Sequence, residues 1–189
     1  MTQERRLRVL IADERQTRLE PIGAAVEALG HEVIAHEIDV AHVGKATVEH
    51  RPDLAIVALH EDSAHALDLI AEIVHEAACC VVALAEDADD EFVARAAERG
   101  VFAHLDSLDP GELKGGIAIA IERYDEYRGL LGAFERRAKI EQAKGILMER
   151  HGLGDREAFE RIRGEARRSQ RRLMTLVDDI LGSRADGSG

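Results

Sequence analysis

The chain has 189 residues, 46% of them hydrophobic, and a formal net charge of −12, enough for one large or two small domains with real cores. The acidic balance argues against indiscriminate attachment to nucleic acid or membrane. Only 3% of residues are aromatic and none is Trp, which argues against base recognition on an aromatic stacking platform.

The N-terminus, MTQERRLRVLIAD, passes from polar residues straight into a strand-like run and shows no secretory pattern. No apolar stretch approaches the roughly 18 residues of a membrane span, so a cytoplasmic protein is expected. Strand-like runs follow at Arg8–Ala12, Glu32–Ile38, Leu54–Leu59, Cys80–Ala85 and Val101–Leu105. Between them lie segments of helical periodicity, such as Leu19–Leu29, His65–Val74 and Glu91–Arg99. Such alternation predicts an α/β fold, a doubly wound five-stranded parallel sheet with helices on both faces. Gly30 and Gly100 stand at helix-to-strand junctions, where a helix C-terminus favours glycine.

Cys79 and Cys80 are adjacent inside an apolar run, so they point to opposite faces of a strand and read as small buried residues rather than a disulfide or metal pair. Nine histidines are present. His31, His36, His42, His60 and His65 fall near strand ends or loops without the tight spacing of a zinc site. No metal or cofactor is implied. The absence of a nucleophile–base pair or a Gly-rich phosphate loop argues against an enzyme.

The strand order, the acidic pair Asp13-Glu14, Arg51-Pro52-Asp53-Leu54 and Gly100-Val101-Phe102-Ala103 together resemble the receiver domain of two-component response regulators, over about residues 7–127. The resemblance implies an aspartate phosphorylated at the end of the third strand beside an acidic pair that holds Mg²⁺. Aligned on Pro52-Asp53-Leu54, this chain has Ala58 at the acceptor position. Ala85 stands where active receivers carry a hydroxyl residue, and Ser107 approximately where they carry a lysine. Asp13 and Glu14 remain and suffice at most for weak cation binding, while Glu61 and Asp62 lie beyond the strand, badly placed as substitute acceptors. A pseudo-receiver is expected, a scaffold for a regulatory protein or small ligand rather than a phosphotransfer site.

Asp109-Pro110 pairs an N-cap residue with proline at the first helical position. From there a helix is expected to run to about His151, far longer than usual. Ile117, Ala120, Tyr124, Tyr127, Leu131, Phe134 and Ala138 recur in steps of three and four, an a/d seam suited to a short parallel coiled coil between two protomers. Packing of the same stripe within its own chain is the alternative, and applies to Ile117 and Ile121. Gly115, Gly116, Gly129 and Gly132 lower helix stability by about 1 kcal/mol each relative to alanine.

Beyond the seam, apolar residues recur at Ile140, Ala143 and Leu147, at Ala158, Phe159, Ile162 and Ala166, and at Leu173, Leu176, Val177, Ile180 and Leu181. Each set fills one helix face, predicting a three-helix bundle. Gly152 and Gly154 mark a stop, and Asp155 and Ser169 read as N-caps. Residues 133–181 hold 12 Lys/Arg against 9 Asp/Glu, net +3, whereas residues 1–132 hold 12 against 27, net −15. Most of the C-terminal bases are Arg, whose planar fork suits phosphate and stacks on unpaired bases. On charge alone, a solvated face paired to Glu141, Glu149, Glu160 and Glu165 explains them as well.

The run Gln142-Ala143-Lys144-Gly145-Ile146-Leu147-Met148-Glu149-Arg150-His151-Gly152, with Glu157-Ala158-Phe159, Ile162-Arg163, Ala166, Leu173 and Ile180-Leu181, resembles the ANTAR domain of AmiR- and NasR-type transcription antitermination regulators. The resemblance covers Arg136 to Leu181 and implies a dimer that binds tandem hairpin loops of leader RNA and stabilises an antiterminator. Contacts are expected from Lys144, Arg150, Arg163, Arg167, Arg171 and Arg172, with Gly145 allowing close approach and Ser169 and Gln170 as base-edge donors. Val177 where alanine is usual, and Arg171 near a common asparagine, depart from the family pattern and bear on loop specificity. Two alternatives remain: a ligand- or partner-sensing dimer without RNA binding, and a DNA-binding response regulator. The expected layout is a pseudo-receiver over 7–115, a connecting helix over 116–135, the ANTAR bundle over 136–182 and a flexible tail over 183–189.

Overall fold

The computed structural model describes residues 5–13, 16–37, 39–59, 63–76, 79–85 and 88–185. Two compact units divide between Asp125 and Glu126. In the first, β1 (Arg8–Ala12), α1 (Gln16–Ala28), β2 (Glu32–Glu37), α2 (Val40–His50), β3 (Leu54–Ala58), α3 (Ser63–Glu76), β4 (Cys80–Leu84), α4 (Asp90–Glu98) and β5 (Ala103–Leu105) alternate, followed by the start of α5 (Pro110–His151). The sheet is parallel throughout, in the order β2-β1-β3-β4-β5, as the alternation predicts. The order reverses beside β1, the point where open α/β sheets form a crevice at their carboxyl ends.

β3 and β4 are buried at every position, which explains their unbroken apolar sequences: both faces are covered. Val9, Ile11, Leu54, Ile56, Cys80 and Val82 face one core with Leu19, Ile22 and Val26 of α1 and Leu113, Ile117, Ala120 and Tyr124 of α5. Leu10, Ala55, Val57, Val81 and Ala83 face the other, against Val43 of α2, Leu67 and Ile70 of α3 and Phe92 of α4. Cys79 lies in the second core and Cys80 in the first, both free thiols. Tyr124 fixes α5 to its sheet through an edge-on contact with Phe102, ring centroids 5.1 Å apart at 83°.

Helix ends follow local chemistry. Asp109 caps α5 by accepting from Gly111 and Glu112 N–H at 2.8 and 3.2 Å. Asp39 and Asp89 do the same for α2 and α4. Gly30 and Gly100 take positive φ, 86° and 97°, the left-handed conformation expected after a helix.

The second unit contains the remainder of α5, α6 (Asp155–Arg168) and α7 (Leu173–Ala185). Ala143, Leu147, Ala158, Ile162 and Val177 form its core, with Ile140, Met148, Leu153, Leu173, Leu176 and Ile180 packed around it. Two expected caps are corrected. Gly154, not Asp155, is the N-cap of α6, its N–H held by Glu157 at 3.0 Å, and Asp155 is the first helical residue. Ser169 closes α6 rather than opening α7, its hydroxyl donating to Glu165 O at 2.7 Å. α7 continues to Ala185, into the segment expected as a tail.

Candidate nucleic-acid interface

The carboxyl ends of the parallel strands bring the sequence-selected receiver positions to one edge of the sheet. β1 and β3 run in register with Ala12 opposite Val57, so Asp13 and Ala58 follow at the same level. Asp13 is fully buried, and Ala58 and Ala85 are 2% and 3% exposed. Ala85 N–H bonds to Leu105 O at 2.9 Å, a continuation of the sheet ladder. Ser107 lies past β5 and is turned to its own helix start, donating to Glu112 Oε2 at 2.5 Å and accepting from Asp109 N–H at 3.2 Å. A methyl group therefore stands at the end of β3, where no phosphoryl group can be attached. Glu14, His60, Glu61 and Asp62 lie outside the described residues. Among the described residues no three His, Cys, Asp or Glu side chains are grouped to hold a metal ion. The sequence does not single out His104, whose ring reaches this edge with Nε2 3.2 Å from Ala85 O and Nδ1 3.0 Å from Asp106. Its position three residues before Ser107 is the signal that could have found it.

In the second unit the predicted contact residues fall into two groups. Lys144 is buried, its ammonium 2.8 Å from Glu141 and 2.5 Å from Asp155. The hydrogen bonds it donates to these carboxylates, that to Asp155 foremost, raise its pKa above the ordinary lysine value. Arg171 pairs with Asp179 at 2.6 Å and Arg163 more loosely with Glu160 at 3.9 Å. Arg150 bonds Ser183 through its hydroxyl and carbonyl, at 3.1 and 3.2 Å. Arg167 and Arg172 are exposed and, with Arg136, Arg137, Arg156 and Arg161, carry no ion pair among the described residues. Ser169 and Gln170 are exposed between α6 and α7, Gln170 with φ of 54°. Gly145 is exposed on α5, and a Cβ there would meet nothing within 4 Å. Of the motif residues expected to build the bundle, Ala143, Ala158 and Ala166 are buried and Phe159 is half-buried. Val177 is fully buried.

The predicted seam also divides. Ile117, Ala120 and Tyr124 are buried in the first unit's own core, so they are not open to a second helix. Tyr127, Leu131 and Phe134 are 49%, 42% and 73% exposed, beside Leu130 at 73%. Ala138 is exposed too. The described helices include none long and apolar enough to cross a membrane.

Comparison with known proteins agrees with both halves. Residues 128–181 match the ANTAR domain family. Over its whole length the chain is similar to the transcriptional regulatory protein PdtaR of Mycobacterium tuberculosis H37Rv, 26% identical across 95% of this chain and 93% of that protein. The fold of the first unit is that of the signal receiver domain of a modulated diguanylate cyclase from Desulfovibrio desulfuricans G20 (TM-score 0.57, 18% identity, 65% of this chain and 99% of that one). It is also that of the receiver domain of an HD domain-containing protein from Pseudomonas fluorescens Pf-5 (TM-score 0.55, 22% identity, 65% and 99%). The chain is a receiver-fold protein that carries a C-terminal ANTAR domain.

Proposed function

We propose that this protein is a cytoplasmic, non-enzymatic transcription antitermination regulator that binds tandem hairpin loops of a leader RNA as a dimer. The observation that carries this reading is the ANTAR match within a chain similar along its length to a transcriptional regulatory protein. The unpaired, exposed Arg167 and Arg172, and the open backbone at Gly145, supply the phosphate-binding forks and close approach that an RNA loop requires. Exposed Tyr127, Leu130, Leu131 and Phe134 on α5 are the surface through which two protomers pair. Two modules held together reinforce each other on a pair of loops through effective concentration.

Control passes through a partner protein or small ligand at the receiver-fold domain rather than through aspartyl phosphorylation, because Ala58 has no acceptor oxygen. A second reading, a dimeric sensing protein without RNA binding, draws on the internal pairing of Lys144 and Arg171, which occupies two of the expected contact residues. A gel-shift titration with tandem-hairpin RNA, loop-mutated RNA and duplex DNA decides between them. Tightest binding to the intact tandem hairpin is expected, and equal binding of all three, or of none, would overturn the antiterminator reading. Acetyl phosphate with Mg²⁺ is expected to add no mass to the chain; stoichiometric labelling would refute control without phosphorylation.

A further inference from the structure

We propose that a groove in the C-terminal unit seats one unstacked base of the bound RNA, a specificity site that rests on the RNA-binding reading above. The groove encloses about 640 Å³, within the range of pockets that hold small molecules. Its floor is apolar, formed by Leu147, Ile162, Leu176 and Ile180 from all three helices. One wall is Gly164 of α6, half-buried, where an added Cβ would meet nothing within 4 Å. Glycine inside a helix is about 1 kcal/mol less favourable than alanine, and neither backbone angle nor neighbour demands it here. The missing side chain widens the groove.

The rim selects the occupant. Glu160 and Glu165 stand on it with His151, Arg161 and Arg168, Glu165 paired to Arg168 at 2.5 Å and Glu160 loosely to Arg163 at 3.9 Å, so the rim carries hydrogen-bond acceptors and donors of both signs above an apolar floor. A base fits that chemistry: its amino groups donate to the carboxylates and its apolar faces rest on the aliphatic floor. Arg161, also on the rim and without an ion pair among the described residues, offers a guanidinium plane to stack on it. Phe159, the only Phe, Tyr or Trp between residues 139 and 185, does not line the groove, whose one aromatic ring is the His151 imidazole. The Arg161 guanidinium and the His151 imidazole over an aliphatic floor therefore take the part that larger aromatic rings play in other RNA-binding modules.

The test uses the full chain and tandem-hairpin RNA with 2-aminopurine placed in turn at each loop purine. Gly164→Leu fills the groove, Gly164→Ala adds a methyl and favours the helix, and Arg161→Lys keeps the charge but removes the plane. Wild type and Gly164→Ala are expected to change the fluorescence of one loop position. Gly164→Leu and Arg161→Lys are expected to lose that change and at least tenfold of the discrimination between cognate and mutated loops, with circular dichroism and the salt dependence of binding unaltered. Retained discrimination in both variants would overturn the proposal. So would a Gly164→Leu chain that binds RNA normally but changes its sedimentation, since the groove would then belong to a protein partner. If wild type binds no RNA, the RNA-binding reading itself fails, and this proposal with it.

Discussion

Lys144 on α5 and Asp155 at the start of α6 hold each other across the intervening turn, Nζ to Oδ1 at 2.5 Å, with Glu141 at 2.8 Å on the other side. The lysine within the ANTAR-matching segment is thereby part of the module's frame. It joins two helices separated by a short turn that begins at Gly152, which takes a positive φ of 65°.

Because pairing raises the folded-state pKa of Lys144 above its ordinary value, its contribution to stability is complete below that ordinary value and is lost as pH rises through the folded pKa. Lys144→Met is expected to lower the melting temperature at neutral pH and to converge with wild type only in strong alkali. The same variant should leave the slope of log affinity against log salt unchanged for RNA. Arg172→Ala should reduce that slope by about 0.7 to 0.9, the value of one phosphate contact. A smaller slope for Lys144→Met would place its ammonium on RNA instead.

Burial pushes the thiols of Cys79 and Cys80 up to about 12, with the neighbouring thiol adding to the shift at Cys80. At pH 8 only about one thiol in ten thousand is then ionised, and the thiolate is the reactive form. The native protein is expected to leave a chromogenic disulfide reagent unreacted at pH 8, and both cysteines to react once concentrated urea opens the sheet. Rapid reaction of the native protein would contradict their burial.

The two halves of the α5 stripe should respond differently to substitution. Ile117→Ala, in the first unit's core, is expected to cost about 2–5 kcal/mol in urea unfolding, as large-to-small core changes do. Phe134→Glu, at a position 73% exposed, should leave the melting of a monomer almost untouched while shifting sedimentation from dimer to monomer. If Phe134→Glu sediments as wild type does, pairing through this surface is excluded.

Adjacent glycines at the start of α5 have opposite expected outcomes. A Cβ at Gly116 would strike the side chain of Leu105 on β5, whereas one at Gly115 would meet nothing within 4 Å. Gly115→Ala is expected to stabilise by about 1 kcal/mol through helix propensity. Gly116→Ala is expected to destabilise by about 1–3 kcal/mol through overpacking. Thermal melts of the two variants give the comparison directly.

Much of the first unit is legible in the sequence because a parallel sheet covered on both faces leaves continuous apolar runs, as in Leu54–Ala58 and Cys80–Leu84. Helix α2 is not, because Gly44 and Thr47 interrupt its pattern. A Cβ at Gly44 would meet the Glu72 side chain of α3, and Thr47 turns its hydroxyl back to Val43 O at 2.5 Å. The start of α1 is obscured by Pro21, which suggests a helix beginning near Leu19 but lies inside one that begins at Gln16. Periodicity places Tyr124 and Tyr127 on one stripe yet carries no information about where the sheet ends beneath them. The same limit hides the pairing of Lys144: a sequence shows a charge at a helical position, but not the carboxylate that folds over to meet it.

The methyl group of Ala58, packed at the end of an intact sheet, bears on time as well as chemistry. A phosphoryl aspartate is a record that outlasts the encounter that wrote it and must be erased by hydrolysis. The Ala58 methyl cannot hold such a record, and under the control proposed above, by a bound partner or ligand, a signal received here would last only as long as its carrier stays bound. Its decay would then be set by a dissociation rate, with no phosphatase needed to reset it.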